Sequence, residues 1–263
     1  MKNITNELVA IVRRAGGIMT GACDIESSGA VDEKSGDAAN LVTAYDLAVQ
    51  RFLITEITRL VPEAYFFAEE KENEYEAMRG ECCFVIDPID GTANFVHDYH
   101  HSCISLAMFS RGDCIFSIVY DPYLDELFSA EKGRGASLNG RAIRVSDRDE
   151  AHSIVAFGTS PYYKSLADKT FSLCRRLFER CADLRRCGAA ALDLAYVAAG
   201  RNDMFFEYRL SPWDVAAGYL LIREAGGVIT DMEGKELDFS APCGVIAANP
   251  GVYGSLLSEV REA

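Results

Sequence analysis

The most informative segment of the sequence is Asp87-Pro88-Ile89-Asp90-Gly91-Thr92-Ala93-Asn94. It follows the apolar residues 82–86, which predict a buried strand that ends at the first aspartate. Because proline restricts the backbone between the two aspartates, their carboxylates should face a common point. The residues after Asp90 predict a helix that has Asp90 as its N-cap, and the free N–H groups of its first turn would face an anion. The stretch therefore predicts a cation site beside an anion site.

Two further acidic motifs support a cation site. Glu69-Glu70 lies eighteen residues before Asp87 and follows the apolar Tyr65-Phe66-Phe67-Ala68, so it also falls at the predicted end of a strand. Ser211-Pro212-Trp213-Asp214 predicts a helix start, with Ser at the N-cap and Pro at the first helical position. Taken alone, each motif also has a structural interpretation, as a strand end, a solvated acidic run or a capping box.

The composition is that of an ordinary globular protein with a strongly negative charge. Of the 263 residues, 49% are hydrophobic and 25% are charged, which excludes disorder and fibrous repeats. The formal net charge of −14 repels a phosphate backbone, so we expect no nucleic acid as principal ligand. The same charge repels an anionic substrate. Bound metal ions would have to lie between such a substrate and the carboxylates.

The sequence predicts a cytoplasmic protein with reduced thiols. Apolar runs such as residues 82–86 are far shorter than the roughly 20 residues that span a bilayer, so we expect no membrane association. The apolar residues 8–12 are flanked by Glu7 and Arg13 and are too short and too charged for a signal peptide. The nine cysteines are odd in number and never spaced C-x-x-C, which indicates free thiols, mostly in the core.

Helical periodicity, capping patterns and strand alternation predict the order of the elements. With no internal repeat and no Pro-rich linker, we interpret residues 1–263 as one domain with a soft seam near residue 146. The predicted elements are a helix from Ile4 that weakens at Gly16-Gly17, a loop over residues 23–39, a helix starting at Thr43 with Asp46 in a capping box, an antiparallel meander over residues 103–145, and a last helix from Ser211 to Gly226.

In order and approximate spacing, these motifs resemble those of the inositol monophosphatase family, within the Mg-dependent, Li-sensitive phosphatase superfamily. The bacterial inositol-1-monophosphatase-like branch is the most similar, and the resemblance covers nearly the whole chain. The motifs that carry it are Leu41-Val42-Thr43 with Asp46, Glu69-Glu70, residues 87–92, Leu138-Asn139-Gly140, Trp213-Asp214-Val215-Ala216-Ala217-Gly218 and Glu224-Ala225-Gly226-Gly227.

The resemblance implies an α+β fold, an αβαβα layered sandwich of the inositol monophosphatase and fructose-1,6-bisphosphatase type. It further implies a phosphoric monoester hydrolase, commonly a homodimer, that uses Mg²⁺ to activate a water molecule against a small polyol or sugar monophosphate. The N-terminal half would bind the metal ions, and the half after residue 146 would line the substrate.

Residue by residue, the resemblance also implies the metal ligands. The loaded site would be roughly neutral, since four carboxylates carry −4 and two Mg²⁺ carry +4. Glu70 matches a supporting position in catalysis that holds or recruits a third, weaker ion. The matching ligands of the first ion are Glu69, Asp87 and the carbonyl of Ile89, and those of the second are Asp87, Asp90 and Asp214.

The same resemblance implies the residues that contact water and substrate. Thr92 and Asp46 match the pair that orients the attacking water, and Gly91 with Thr92 matches the backbone that receives the phosphate. Glu207 matches a carboxylate that accepts hydrogen bonds from ring hydroxyls of inositol. The matching substrate-lining turn is Gly188-Ala189-Ala190.

Three positions depart from the family pattern. Ala189 stands where a Thr is common, so one polar contact to the substrate is missing and inositol itself is left open. Asn40 stands where Asp is frequent, and Lys34 is one position out of register with the usual basic residue. These two departures leave the tuning of the metal site by the residue 30–40 segment open.

Several alternatives remain open. Arg185, Arg186 and Arg209 could bind a second phosphate, as a fructose-1,6-bisphosphatase or an adenosine bisphosphate phosphatase requires; solvated surface or interface arginines are the structural alternative. The histidines at positions 97, 100 and 101 suggest a transition metal, but the carboxylate-rich motifs favour Mg²⁺. A mainly regulatory binding protein is the alternative from a different class.

Overall fold

The computed structural model describes residues 2–23, 25, 31–34 and 41–262, so Asn40 lies outside the described residues. Within these ranges the chain forms α-helices and three β-sheets, with short 3₁₀ turns between them. The helices are α1 Lys2–Thr20, α2 Ala44–Leu60, α3 Thr92–Val96, α4 Ala167–Phe178, α5 Ala190–Ala198, α6 Pro212–Glu224 and α7 Pro250–Arg261. The strands are β1 Val31–Glu33, β2 Leu41–Thr43, β3 Tyr65–Ala68, β4 Cys83–Asp90, β5 Cys103–Ser110, β6 Asp113–Asp121, β7 Glu126–Glu131, β8 Gly135–Leu138, β9 Arg141–Ile143, β10 Ile154–Phe157, β11 Asp183–Arg185, β12 Met204–Leu210, β13 Val228–Thr230 and β14 Cys243–Ala248.

The larger sheet has seven strands in chain order, from β3 to β9. Its first pair, β3 with β4, is parallel, and every later pair is antiparallel. The five antiparallel strands from β5 to β9 are the meander predicted for residues 103–145. Strand β4 is buried along its whole length, which is why its sequence reads as a continuous apolar run before the first aspartate.

The smaller sheet has five strands in the order β11-β10-β12-β14-β13. Strand β10 pairs in parallel with both β11 and β12, while β14 pairs antiparallel with β12 and β13. Of these strands the sequence predicts only β10, because the mostly apolar residues from Ser153 to Phe157 are typical of a strand. A third sheet contains β1 and β2, so the loop predicted over residues 23–39 is wrong at Val31–Glu33.

The elements stack in five layers, which confirms the predicted αβαβα sandwich and α+β class. Helices α1 and α2 pack on the outer face of the large sheet, and α5 and α6 fill the space between the two sheets. Helices α4 and α7 cover the outer face of the small sheet. The middle helices share one hydrophobic cluster with both sheets, while each outer pair of helices forms its own cluster with the sheet that it covers. The single domain with a seam near residue 146 stays a prediction.

The structure corrects two predictions for residues 82–94. Strand β4 does not end at Asp87 but runs to Asp90, with a shift of register against β5 between these two residues. The N-cap of α3 is Gly91, with φ 85°, rather than Asp90. Pro88 can stand within a strand because a bulge leaves its position without a ladder hydrogen bond to donate.

Three further findings concern the elements as a whole. Helix α7 follows α6, so α6 is not the last helix. All nine cysteines are free thiols, as predicted. Among the described residues, no helix combines the length and apolar character that crossing a bilayer requires.

Helix α1 continues through Gly16-Gly17, where the sequence suggests weakening. Gly16 faces the large sheet, and a Cβ there would lie 2.5 Å from Cε1 of Tyr120 and 2.9 Å from Cβ of Pro122. Gly17 faces open space, with no atom within 4 Å of such a Cβ. Close packing against the large sheet therefore explains the glycine at position 16, and nothing in the structure explains the glycine at position 17.

This pair gives a test of how α1 packs. Gly17→Ala should stabilise the protein by about 0.5–1 kcal/mol, because alanine favours a helix over glycine. Gly16→Ala gains the same helical preference, but its Cβ would push Tyr120 and Pro122 away from α1 at a cost of about 1–3 kcal/mol. The free energy of unfolding of Gly16→Ala should therefore lie below that of Gly17→Ala. Urea unfolding of both variants measures the difference. Equal stabilities would contradict the packing of α1 described here.

Candidate active site

The parallel pairing of β3 with β4 brings two acidic residues to one edge of the large sheet. Ala68 at the end of β3 pairs with Ile86, and the Glu69 N–H donates to the Ile86 carbonyl oxygen at 3.1 Å. Glu69 and Asp87 therefore occupy matched positions on neighbouring parallel strands. Asn73 holds the end of β3, because its side-chain amide bonds both the N–H and the carbonyl of Ala68.

Asp90 ends β4, and its carboxylate caps a helix from the other half of the chain. It accepts hydrogen bonds from the N–H groups of Ala191 at 2.7 Å and Ala190 at 3.3 Å, in the first turn of α5. Buried in this way, the side chain is 8% exposed. The bond joins the β4–α3 turn directly to the start of α5.

Asp214 lies in the first turn of α6, at the same end of the large sheet. Its carboxylate accepts a hydrogen bond from the Ser211 N–H at 2.7 Å, which confirms the predicted capping box. Ser105 on β5 donates to the Trp213 carbonyl oxygen at 3.1 Å and fixes the helix start against the sheet. Asp214 therefore caps α6 and also lies beside the other carboxylates.

Burial and mutual repulsion raise the pKa values of these carboxyls. Burial raises the pKa of Asp87 well above its ordinary value, and the charges of Glu69 and Asp90 raise it further. Asp214 behaves in the same way, with burial first and the charge of Asp90 next. Burial raises the pKa of Asp90 to about 7, although the N–H groups of α5 act in the opposite direction. Together with the carbonyl of Ile89, these carboxylates form a set of hard oxygen donors that fits Mg²⁺.

Lys34 neutralises part of the cluster from the side of β1. Its Nζ lies 2.8 Å from Oε1 of Glu69 and also pairs with Glu70. Burial opposes the charge on the ammonium group, yet the two glutamates raise the pKa of Lys34 overall. Gln50 on α2 fixes the backbone of Glu70 through two hydrogen bonds of 2.9 Å. A further ion at Glu70 would therefore compete with Lys34.

Asp46 uses its two carboxylate oxygens for two different purposes. Oδ2 accepts from the N–H of Thr43 at 2.7 Å and from the Thr43 hydroxyl, which completes the capping box of α2. Oδ1 lies 3.3 Å from Oγ1 of Thr92, a hydroxyl that is also 3.1 Å from the Ile89 carbonyl oxygen. Burial raises the pKa of Asp46 to about 7, even though the Thr43 hydrogen bonds lower it.

A cavity of about 510 Å³ brings most of the predicted site residues together. Asp46 and Glu70 do not line it and reach it only through their contacts with Thr92 and Lys34. The predicted residues that do line the cavity are Glu69, Asp87, Ile89, Asp90, Gly91, Thr92, Gly188, Ala189, Ala190, Glu207 and Asp214.

Two glycines with positive φ shape the floor of this cavity. Gly91 has φ 85° and Gly188 has φ 90°, a region that favours glycine. A Cβ on Gly91 would lie 3.0 Å from the His101 carbonyl oxygen and 3.2 Å from that of Gly188. The turn after β4 and the turn before α5 are thus pressed against each other, and only glycine fits between them.

Glu207 on β12 lies in the same cavity, on the side of the small sheet. Its Oε1 accepts from the Ser160 N–H at 2.7 Å and from the Ser160 hydroxyl at 3.3 Å. Burial raises the pKa of Glu207 to about 7, while the Ser160 N–H lowers it. A Cβ on Gly158 would lie 1.8 Å from Oε2, so glycine is required for the carboxylate to occupy this position.

The three arginines of the alternative reading have different positions. Arg186 and Arg209 line the cavity, whereas Arg185 is exposed and pairs with Asp183. Arg209 lies over the ring of Tyr163, with its guanidinium carbon 4.5 Å from the ring centre. Two arginine side chains therefore line the same cavity as the carboxylates.

The three histidines of the transition-metal alternative have different surroundings. His97 lines the cavity, whereas His100 stacks on Tyr123 at 4.6 Å and contacts Asp98. His101 is half-buried and lies near Tyr196. The three rings do not form one of the ligand-distance groups found among the described residues.

Sequence reasoning missed several cavity residues. Tyr162 lies beside the carboxylates, since burial first and then the charges of Glu69 and Asp214 raise the pKa of its phenol. Ser160, which holds Glu207, and Pro161 also line the cavity. The tract Gly158-Thr159-Ser160-Pro161 after β10 is a turn signal that follows a strand end, and it could have marked this wall.

Comparisons with known proteins agree with this geometry. The inositol monophosphatase family model matches residues 1–263. The Nus factor SuhB of Escherichia coli K12 is 39% identical over 263 residues, which cover 100% of this chain and 97% of that protein. The structure of the Thermotoga maritima IMPase is 33% identical with a TM-score of 0.87, covering 100% of this chain and 98% of that chain. A structure described as an IMPase/NADP phosphatase complexed with Mg²⁺ and phosphate is 25% identical with a TM-score of 0.86, covering 98% of this chain and 95% of that chain.

The family model, SuhB of Escherichia coli and the Thermotoga maritima IMPase cover the whole length of the chain. The chain belongs to the inositol monophosphatase family.

Proposed function

We propose that this protein is a Mg²⁺-dependent phosphomonoesterase that hydrolyses a small polyol or sugar monophosphate. The observation that carries the proposal is the convergence of four carboxylates and the Thr92–Asp46 pair on one cavity. A phosphate dianion could enter this cavity only with cations present, because the carboxylates repel it. The family relatives support the same class of reaction.

The carboxylates and one carbonyl would hold the ions. Glu69, Asp87 and the carbonyl of Ile89 would hold the first, and Asp87, Asp90 and Asp214 the second, so that Asp87 bridges both. Bound Mg²⁺ supplies positive charge that lowers the pKa of water and stabilises a leaving oxygen. The structure supports this division because these groups share one edge of the large sheet and raise one another's pKa.

Thr92 and Asp46 would direct the attacking water. The Thr92 hydroxyl has a single hydrogen, and donating it to Oδ1 of Asp46 leaves an oxygen lone pair that can accept a hydrogen bond from water. Asp46 can then receive the proton that Thr92 passes on. A pKa of about 7 suits a proton acceptor near neutral pH. Oδ2 stays bonded to Thr43, which keeps the orientation of the carboxylate fixed.

The alcohol part of the substrate would lie between the turn at residues 188–190 and Glu207. Glu207 has one oxygen held by Ser160, and its other oxygen is available to ring hydroxyls. Ala189 offers no hydroxyl of its own on the opposite wall. A polyol that places hydroxyls toward Glu207 therefore suits the cavity better than a simple alkyl phosphate.

A second candidate function is hydrolysis of a bisphosphate. It is favoured by Arg186 and Arg209, which both line the cavity and could pair with a phosphate that is not cleaved. Fructose 1,6-bisphosphate and adenosine bisphosphates have such a second phosphate. One relative is described as an IMPase/NADP phosphatase, so this family includes a nucleotide phosphate substrate.

A third candidate is a mainly regulatory role, favoured by the relatives that are named Nus factor. Their name describes those proteins, and the carboxylates and the Thr92–Asp46 pair of this chain are all present. A homodimer and a cytoplasmic location belong to the same proposal, as properties expected from the family resemblance.

A phosphate-release screen with and without Mg²⁺ tests the proposal. Inositol phosphates, sugar phosphates, fructose 1,6-bisphosphate, histidinol phosphate and adenosine bisphosphates would be compared by kcat/KM. Turnover that needs Mg²⁺ and favours a polyol or sugar monophosphate supports the proposal. No turnover of any of these esters would favour the regulatory role, and preference for a bisphosphate would favour the second candidate.

The bridging role of Asp87 gives the first prediction. Asp87→Asn should abolish Mg²⁺-dependent turnover, since the change removes a ligand that both ions share. Without metal at pH 8 the variant should melt at or above the wild-type Tm, because an ionised Asp87 is repelled by its neighbours.

The pH dependence of this variant follows from the raised pKa. A carboxyl whose pKa is raised on folding destabilises the protein as pH rises from its unfolded value of about 4 toward the folded one, so the gain in Tm should shrink at pH 5. Melting curves with EDTA and with Mg²⁺ measure both effects. Near-wild-type turnover, or unchanged stabilisation by Mg²⁺, would show that Asp87 does not bridge the ions.

The role of the Thr92 hydroxyl gives the second prediction. Thr92→Ala should lower kcat by about 100-fold with a smaller change in KM, on the scale of losing one positioned proton-transfer partner. Thr92→Ser is the matched control, because it keeps the oxygen that lies 3.3 Å from Asp46, and it should retain most of kcat. Steady-state kinetics measures kcat and KM of both variants. Equal kcat values for Thr92→Ala and Thr92→Ser would exclude the proposed role of the Thr92 hydroxyl.

The position of Glu207 gives the third prediction. Glu207→Gln keeps the size of the side chain but removes a charge that strengthens hydrogen bonds by about 1.5–3 kcal/mol, so KM for a polyol monophosphate should rise. p-Nitrophenyl phosphate has no ring hydroxyl and should be hydrolysed nearly as before. Equal impairment of both esters would place Glu207 in the metal site or the fold. If neither ester is affected and Arg209→Ala selectively weakens a bisphosphate, the second candidate function is the better account.

A further inference from the structure

A second group of metal-ligating side chains lies at the side of the cavity, where its member Asp193 lines the cavity and His101 and Cys187 do not. His101 precedes β5, Cys187 lies in the turn before α5, and Asp193 is in the first turns of that helix. One ligand atom from each lies within 4.8 Å of the others. The group contains one nitrogen, one sulfur and one oxygen donor, unlike the all-oxygen cluster at Asp87.

Two atoms of this group are buried without a partner. Nε2 of His101 and Oδ1 of Asp193 have no hydrogen-bond partner among the described residues. Asp193 is 1% exposed, and no described Lys or Arg forms an ion pair with it. Buried polar atoms are nearly always hydrogen-bonded, and a buried carboxylate without a cation is costly. The two unpartnered atoms are therefore free to bind a further ligand, while the Cys187 thiol is already hydrogen-bonded to the Asp193 carboxyl.

The backbone holds the three side chains together independently of any ion. Nδ2 of Asn94 donates to the carbonyl oxygens of His101 at 2.7 Å and Cys187 at 2.9 Å, so one amide clamps both segments. Asp193 is fixed by α5, where its N–H donates to the Ala189 carbonyl oxygen at 3.0 Å. A site held in this way loses little freedom when it binds a ligand.

The donor types select the kind of ion. Thiolate and imidazole favour Zn²⁺ or Co²⁺, whereas Mg²⁺ favours oxygen, and three protein ligands with one open position is a common zinc arrangement. Burial lowers the pKa of His101, so its ring is neutral and has a lone pair to offer. Burial and the Asp193 charge raise the pKa of Cys187 to about 11, so the thiol carries its proton when no metal is bound.

We propose that His101, Cys187 and Asp193 bind a zinc-type divalent ion at a site separate from the carboxylate cluster. On binding, the S–H bond of Cys187 is replaced by a sulfur–metal bond, and one proton passes to solvent. The thiolate and the Asp193 carboxylate then balance the +2 charge of the ion. The ion would tie the turn at residues 188–190 to the start of β5 and hold one wall of the cavity in place.

Co²⁺ titration of the intact protein tests this site, with excess Mg²⁺ present to occupy the carboxylates. A thiolate bound to Co²⁺ gives a near-ultraviolet charge-transfer absorption that carboxylate ligands cannot produce. We expect this band at one equivalent in the wild type and its loss in Cys187→Ser. His101→Gln and Asp193→Asn should weaken Co²⁺ binding by about tenfold or more.

Cys243→Ser is the matched control. Cys243 is half-buried like Cys187 and burial likewise raises its pKa to about 11, but it belongs to no ligand-distance group among the described residues. The control should keep the band. Absence of the band in the wild type, or its persistence in Cys187→Ser, would overturn the proposal.

Protection from alkylation tests the site without any substitution. In wild-type protein with Mg²⁺, added Zn²⁺ should slow modification of Cys187 by iodoacetamide by about tenfold or more, with Cys243 unaffected, as measured by mass spectrometry of the peptides. Equal rates for Cys187 with and without Zn²⁺ would overturn the proposal even if every variant failed to fold. Because neither readout uses turnover, the outcome is independent of the proposed phosphatase activity.

Discussion

Repulsion among buried carboxylates is the constraint on which this structure depends. Asp87 is 2% exposed and has Glu69, Asp90 and Asp214 close enough to raise its pKa. Such a cluster would expand or protonate if the side chains were free to move. The fold holds it by attaching each carboxylate to rigid elements: two parallel strands, a strand end bonded to α5, and the first turn of α6. The sandwich is therefore a frame that keeps like charges together.

Helix capping and catalysis are not competing explanations for these residues. Asp46 and Asp214 both complete capping boxes, and Asp90 caps α5. The interpretation of these aspartates as helix caps is correct, because the first turn of a helix offers N–H groups that hold a carboxylate. Asp90 and Asp214 also line the cavity, and the second oxygen of Asp46 contacts Thr92, which lines it. Capping is the means by which the fold orients groups that would otherwise rotate.

The sequence predicted the large sheet and the site motifs well, for physical reasons. The meander after Cys103 has clear turn signals such as Asn139-Gly140, and α2 and α6 begin at strong capping boxes. The small sheet was mostly missed, because β11 and β13 have three residues each and β12 is buried without alternation. The sequence singled out Lys34 as a departure from the family pattern, but its ion pair with Glu69, 35 positions away, could not be predicted. The contact of Ser160 with Glu207, 47 positions away, was likewise beyond sequence reasoning.

The hydrogen bonds from α5 to Asp90 have a consequence for how the cavity responds to its ligands. The same carboxylate is one of those proposed to hold ions, and it fixes Ala190 and Ala191 at the cavity wall that the proposed substrate would contact. A shift of that wall must therefore lengthen bonds to Asp90, and a reorientation of Asp90 must disturb the wall. Two ligands that both depend on the position of the Asp90 carboxylate would be thermodynamically coupled, and such coupling is reciprocal. Binding of a ligand on one side of Asp90 would therefore change the affinity for a ligand on the other side. This coupling needs no moving lid and no second domain.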